Sequence, residues 1–71
     1  MQFNLYKLKR ERVLKGLSMT TLGRMTGFTP QMIWYIEKKG SQSPQTIKRL
    51  ADALGLTMEE LIIEEEVIAA R

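Results

Sequence analysis

Residues 17–40, with the sequence LSMTTLGRMTGFTPQMIWYIEKKG, contain two helix starts separated by a glycine turn. Ser18 and Thr29 are favourable N-cap residues, and the proline after Thr29 suits the first helical position, where its missing N–H needs no partner. Gly27 interrupts the first helix after about two turns, which is too short for a helix that stands alone. The stretch therefore predicts two short helices that pack on each other.

Five consecutive large apolar residues, 32–36, lie in the second of these helices. They could form a buried strand, a core helix or a helix that presents aromatic rings to a partner. Successive helical residues advance by about 100°, so Ile33 and Ile36 share a narrow core face. The opposite face collects Gln31, Trp34, Tyr35 and Lys38. A helix is favoured over a strand because strand alternation would bury Lys38 beside Trp34 and Ile36.

Cap residues divide the rest of the chain into further helices. Asn4 and Gly16 bound a helix before this stretch, and Ser43 and Gly55 bound one after it. A capping box that begins at Thr57 starts a last helix. No segment alternates with period two over a useful length, so we expect an all-α fold, a compact bundle of five short helices.

The composition predicts one small domain that lacks most catalytic chemistry. The chain has 71 residues, which we assign to a single domain with its core at about residues 4–63 and a C-terminal extension at 64–71. It contains no cysteine and no histidine, which excludes disulfides, thiolate or imidazole metal sites and the usual nucleophile-base pairs. We therefore expect no enzyme activity, no cofactor and no metal. No apolar run is long enough to span a bilayer, and a cytoplasmic location is expected.

The charge of the chain is distributed unevenly. Residues 1–56 contain ten basic and three acidic residues, a net charge of +7, whereas residues 57–71 contain one basic and five acidic residues, a net charge of −4. A basic body with an acidic tail suggests a polyanion on one surface and a different role for the C-terminus.

The motif between the helices has a specific spacing. Gly23 supplies minimal bulk where two helices approach closely, and Gly27 supplies the turn. The ordered set resembles the lambda-repressor-like helix-turn-helix family, the Cro or XRE type of transcription regulators, over about residues 5–62. The set comprises Gly16-Leu17-Ser18, Leu22, Gly27, Ile33, Ile36-Glu37, Leu50-Ala51, Leu54-Gly55 and Leu61.

The resemblance implies that the helix after Thr29 is the recognition helix, which enters the DNA major groove. The residues then expected at base edges are Pro30, Gln31, Trp34 and Tyr35. Those expected at phosphates are Ser18, Met19, Thr29, Lys38, Lys39 and Ser41. Met19 departs from the family, in which a glutamine usually follows the Leu-Ser pair and bonds a phosphate. The family also pairs an arginine late in its first helix with the glutamate near the end of the recognition helix, which here implies an ion pair between Arg12 and Glu37.

The C-terminal segment has a second apolar stripe, formed by Ile63, Val67 and Ala70, that a single domain cannot bury. We expect it to form a homodimer interface, with a frayed tail as the alternative.

Two functions remain. The first is a small dimeric repressor of the Cro or XRE type that occupies a pseudo-palindromic double-stranded DNA operator. The second is a protein-interaction module, such as an antitoxin or antirepressor-like partner, that uses Trp34 and Tyr35 or the acidic tail.

Overall fold

The computed structural model describes residues 2–63, which form four α-helices, a single 3₁₀ turn and a pair of very short strands. The helices are α1 (Leu5–Leu14), α2 (Met19–Thr26), α3 (Pro30–Lys39) and α4 (Pro44–Leu54). The 3₁₀ turn spans Met58–Leu61, and the strands are β1 (Gln2–Phe3) and β2 (Ile62–Ile63). The prediction of a mainly helical domain is confirmed.

Each α-helix begins at a polar residue whose side-chain oxygen accepts a hydrogen bond from the backbone N–H three positions later. These N-caps are Asn4, Ser18, Thr29 and Ser43, with distances of 3.1, 3.0, 3.1 and 3.4 Å. Pro30 and Pro44 occupy the first position of α3 and α4, where no N–H is required. Four of the five helix starts predicted from the sequence are therefore confirmed, because capping depends only on neighbouring residues.

The fifth helix is a wrong prediction. The capping box forms, with Thr57 and Glu60 each accepting a backbone hydrogen bond from the other, but it starts only a single 3₁₀ turn. The chain then becomes extended at Ile62, and β2 pairs antiparallel with β1. The Asn4 N–H donates to the Leu61 carbonyl at 2.8 Å, so the N-terminal strand supplies partners that a continuing helix would have found within itself.

Leucine and isoleucine side chains from all four helices and the 3₁₀ turn meet in one core. Its buried members are Leu8, Leu22, Ile33, Ile36, Ile47, Leu50, Ala51, Leu54 and Leu61. The four contributed by α4 follow the i, i+3, i+4, i+7 spacing of an amphipathic helix, as the sequence indicates. Only the inner face of α3 packs against this core, so the outer face of that helix is exposed.

The interface between α2 and α3 depends on a glycine. Gly23 is buried, and a Cβ atom at this position would lie 2.5 Å from the Phe28 carbonyl oxygen. Gly27 closes the turn in the left-handed conformation at φ +84°. The backbone of the turn lies directly against Gly23. The angle between α2 and α3 therefore depends on the absence of a side chain at this position.

A buried ion pair joins α1 to α3. The Arg12 Nε lies 2.5 Å from the Glu37 Oε2, and its Nη2 donates to the Oε1 at 3.3 Å. The Arg12 Nη1 also donates to the Leu17 carbonyl at 2.8 Å, so one guanidinium connects two helices and the loop before α2. This two-pronged geometry is the strong form of the carboxylate-guanidinium contact.

Candidate nucleic-acid interface

The outer face of α3 is a continuous exposed surface. Gln31, Trp34, Tyr35 and Lys38 are all exposed, while Ile33, Ile36 and Glu37 on the other side of the helix are buried. Trp34 is 51% exposed and Tyr35 is 56% exposed. Large aromatic rings this accessible are uncommon on a small domain that needs its apolar residues for packing, and they indicate a contact surface. We call the exposed set of Gln31, Trp34, Tyr35 and Lys38 the α3 surface.

Met32 extends the apolar part of this region, because it is also exposed. The helical angles could have indicated it, since Met32 falls between Tyr35 and Ile36 at the edge of the core face. Pro30 is exposed at the N-terminal end of the same helix. The first two turns of α3 therefore present mostly uncharged side chains.

The two residues expected at phosphates that cap α2 and α3 use their side-chain oxygens within the domain. The Ser18 hydroxyl accepts the Thr21 N–H and donates to the Thr21 hydroxyl at 3.0 Å, and the Thr29 hydroxyl accepts the Met32 N–H. Met19 is half-buried and packs against the core. What these positions offer a ligand is mainly backbone N–H at the start of α2, where the helix dipole is positive. At the start of α3, Pro30 has no N–H and the Met32 N–H is bonded to Thr29, which leaves the Gln31 N–H.

The loop after α3 lies against the N-terminal segment. Gly40 has φ +84°, and a Cβ there would come within 3.2 Å of both Phe3 and Leu5. The Ser41 hydroxyl accepts the Ser43 N–H at 3.2 Å. Tyr35 and the loop line the same shallow cleft as Phe3 and Leu5, which places the loop backbone beside the α3 surface.

Lysine side chains lie at the C-terminal end of α3. Lys38 and Lys39 are exposed, and the Lys38 Nζ lies 5.7 Å from the centre of the Trp34 ring. Within residues 2–63, neither lysine has an acidic side chain at ion-pair distance. Their charge is available to an anion at this end of the helix.

The basic residues of α1 are arranged differently, because they surround a glutamate. Glu11 contacts Lys15 at 2.9 Å, Lys7 at 3.6 Å and Arg10 at 3.7 Å. The hydrogen bond from Lys15 is the main cause that lowers the pKa of the Glu11 carboxyl, with the charges of Lys15 and Lys7 acting in the same direction. The positive charge of α1 is thus partly neutralised by its own helix.

Arg49 has a role that the sequence did not reveal. Its Nη1 donates to the Thr26 carbonyl at 3.3 Å and its guanidinium lies 5.8 Å from the centre of the Phe28 ring. It therefore connects α4 to the end of α2 and to the turn before α3. No local signal identifies this contact, because it joins residues 23 positions apart.

Of the three residues expected at a dimer interface, only Ile63 belongs to the described part of the chain, where it is 38% exposed on β2. Val67 and Ala70 lie outside the described residues. No helix within residues 2–63 has the length and apolar character to cross a membrane. The same residues contain no cluster of acidic, cysteine or histidine side chains that could bind a metal ion.

Two comparisons with known proteins bear on this surface. A search among curated proteins found no match. The family model described as Helix-turn-helix matches residues 8–61, a range that contains α2, the glycine turn, α3 and the buried Arg12–Glu37 pair. The matched range covers most of the chain. This protein therefore belongs to the Cro/C1-type helix-turn-helix family of DNA-binding transcription regulators.

Proposed function

We propose that this protein is a small dimeric repressor that binds a specific double-stranded DNA operator and acts by occupying it. The observation that carries the proposal is the α3 surface, an exposed helix face held rigidly by a buried core face and a buried ion pair. An α-helix of this kind fits the major groove, and the second helix of the motif is the one that enters it.

Within this proposal, base contacts come from the α3 surface. The Gln31 side-chain amide can donate an N–H to N7 of adenine while its carbonyl oxygen accepts from the N6 amino group. Trp34, Tyr35 and Pro30 offer apolar contacts to bases and sugars. Because few of these groups can form base-specific hydrogen bonds, the sequence-dependent shape of the DNA contributes to recognition.

Phosphate contacts fix the protein on the duplex. The backbone N–H groups that follow Ser18 suit a phosphate, and Met19 contributes its N–H in place of the side chain that the family uses. After Thr29 the first such group is the Gln31 N–H, because Pro30 has none. Lys38, Lys39 and the loop at Ser41 lie at the other end of α3. Phosphate contacts at both ends of α3 hold the helix in the groove but do not specify the DNA sequence.

Dimerisation through the C-terminal region would present two copies of α3 to half-sites about one helical turn apart. The exposure of Ile63 at the end of β2 supports this placement of the interface. We expect sedimentation equilibrium to give a concentration-dependent dimer, and Ile63→Glu to shift it towards monomer because the substitution puts a charge into an apolar contact. Tyr6→Glu on α1, which is more exposed, is the matched control. A wild-type protein that stays monomeric at high micromolar concentration would contradict the dimer.

The proposed function is tested by binding to duplex DNA across a salt series, followed by selection of preferred sites from random DNA. The logarithm of the binding constant should fall linearly with the logarithm of the salt concentration, with a slope of about −0.9 for each phosphate contacted. Gln31→Ala should weaken the selected site by about 1 to 3 kcal/mol and relax the preference at one base step.

Lys39→Ala is the control for that variant, because it removes an exposed charge at the other end of the same helix. It should weaken all sequences alike and reduce the salt slope by about 0.9. If the wild-type protein binds no duplex at low salt, the repressor proposal fails, and the exposed Trp34 and Tyr35 rings would then favour a protein partner. Equal loss of base preference in both variants would contradict the division of roles.

A further inference from the structure

Trp34 and Lys38 are one helical turn apart on α3, and both side chains are exposed. The Lys38 Nζ lies 5.7 Å from the centre of the indole ring, within the range over which an ammonium group is attracted to the ring face. Residues four apart on a helix lie on the same face, so this contact needs no distortion of the backbone. The lysine charge is therefore held beside the ring.

We propose that Lys38 is a positioning residue that holds the Trp34 ring against the C5-methyl group of a thymine. The inference rests on the proposed function, since it names the base that one residue of the α3 surface contacts. It replaces the phosphate contact proposed for Lys38 with the orientation of Trp34, and leaves phosphate neutralisation at this end of α3 to Lys39.

The chemistry of the indole selects the base. Trp34 has a single polar group, the Nε1–H donor, and otherwise offers an apolar surface. Among the groups that line the major groove, the thymine methyl is the one that an apolar side chain recognises, whereas the other base edges require hydrogen bonds. A free indole would adopt several rotamers, and the cation beside one face restricts it to a narrower set.

The spacing of the helix places this thymine next to the base that Gln31 contacts. Gln31 and Trp34 are three residues apart on one face of α3, so their Cβ atoms are about 5 to 6 Å apart. Adjacent bases of one strand are separated by about 3.4 Å, so the two side chains reach neighbouring base steps. The expected recognition element is an adenine adjacent to a thymine.

The free protein gives the first test, because Trp34 is the only tryptophan in the chain and its fluorescence reports on this ring alone. Lys38→Gln should change the emission and increase the accessibility of the indole to a neutral quencher such as acrylamide. Lys38→Arg, which keeps a cation at the ring, should restore the wild-type signal, and Lys39→Gln should leave it unchanged. Equal signals from wild type and Lys38→Gln would overturn the contact.

The second test uses the selected operator with single thymines replaced by deoxyuridine, which lacks the C5-methyl group. Wild type should lose about fourfold in affinity at one position, as expected for one buried methyl group. The Trp34→Ala variant should bind the thymine and deoxyuridine forms of the operator equally well. Lys38→Gln should reduce the loss of affinity caused by deoxyuridine, while its salt slope stays close to the wild-type value. Lys39→Gln should make the salt slope less steep, while the loss of affinity caused by deoxyuridine remains.

The contrary outcomes are distinct. If Lys38→Gln reduces the magnitude of the salt slope by about 0.9 and leaves the deoxyuridine penalty intact, Lys38 is a phosphate contact and the inference is wrong. If wild type binds its operator with no deoxyuridine penalty at any position, Trp34 does not contact a thymine methyl. If wild type binds no duplex at all, the proposed function fails together with the thymine contact, while the fluorescence result still decides whether Lys38 holds the ring.

Discussion

Glu37→Ala is expected to lower the free energy of unfolding by about 3 to 5 kcal/mol, because it leaves the buried guanidinium of Arg12 without its carboxylate. Arg12 is only 8% exposed, so water can replace little of what the carboxylate provides. The Leu17 carbonyl accepts from one Arg12 nitrogen and cannot neutralise the charge. Since native domains are stable by only about 5 to 15 kcal/mol, this loss is a large fraction of the total stability. Urea denaturation followed by circular dichroism measures the change.

Two controls separate charge burial from the mere loss of an ion pair. Lys48→Ala breaks the exposed pair with Asp52, whose side chains are 65% and 63% exposed, and should cost less than about 1 kcal/mol. The double variant Arg12→Met with Glu37→Leu removes both charges and should recover much of the lost stability, because no unpaired charge remains. The explanation fails if Glu37→Ala is no more destabilising than Lys48→Ala, or if the double variant is less stable than Glu37→Ala alone.

Gly23→Ala is expected to destabilise the domain by about 1 to 3 kcal/mol, although alanine is the better helix former by up to about 1 kcal/mol. The reason is steric, because the new Cβ would lie 2.5 Å from the Phe28 carbonyl oxygen and 3.4 Å from the Thr29 carbonyl carbon. Both atoms belong to the backbone of the turn and cannot rotate away. The turn must move, and α3 must move with it, so DNA affinity should fall even in conditions where the variant is fully folded.

Gly16→Ala is the control that separates stability from binding. Its Cβ would meet no atom within 4 Å, but the residue has φ +70°, so alanine there is strained by about 1 to 2 kcal/mol. This variant should be destabilised without any loss of DNA affinity when folded, since Gly16 lies outside α2 and α3. Thr20→Ala on the exposed side of α2 should change neither property. A Gly23→Ala protein that is as stable as wild type would show that the turn can relax.

The helix starts and the core face of α3 were predictable because they depend on short-range chemistry. A cap side chain bonds an N–H three residues away, and an amphipathic helix repeats its apolar positions within one or two turns. Asn4, Ser18, Thr29 and Ser43 all cap as expected, and Ile33 and Ile36 are buried as the helical angles require. The glycine turn was predictable for the same reason, since only Gly27 readily adopts the left-handed conformation that ends α2.

The C-terminal end shows where local reasoning stops. The capping box at Thr57 is evident from the sequence and forms, but whether it starts a helix or a single turn depends on β1, more than fifty residues earlier in the chain. The same is true of Arg49, whose hydrogen bond to Thr26 and contact with Phe28 exist only because α4 packs beside the turn before α3.

The sequence alone determined the order of the helices, the helix-turn-helix spacing and the identity of the side chains on the α3 surface, because each follows from contacts between residues close in the chain. Only the tertiary structure decided that Ile62–Ile63 form a strand and that Gly23 lies against a carbonyl of the turn. It also decided that Lys38 lies beside the ring of Trp34, since the helical spacing allows that contact but does not choose it over solvent. These outcomes depend on which distant groups form hydrogen bonds with the backbone and on how closely the helices can approach each other. A local sequence pattern indicates neither of these.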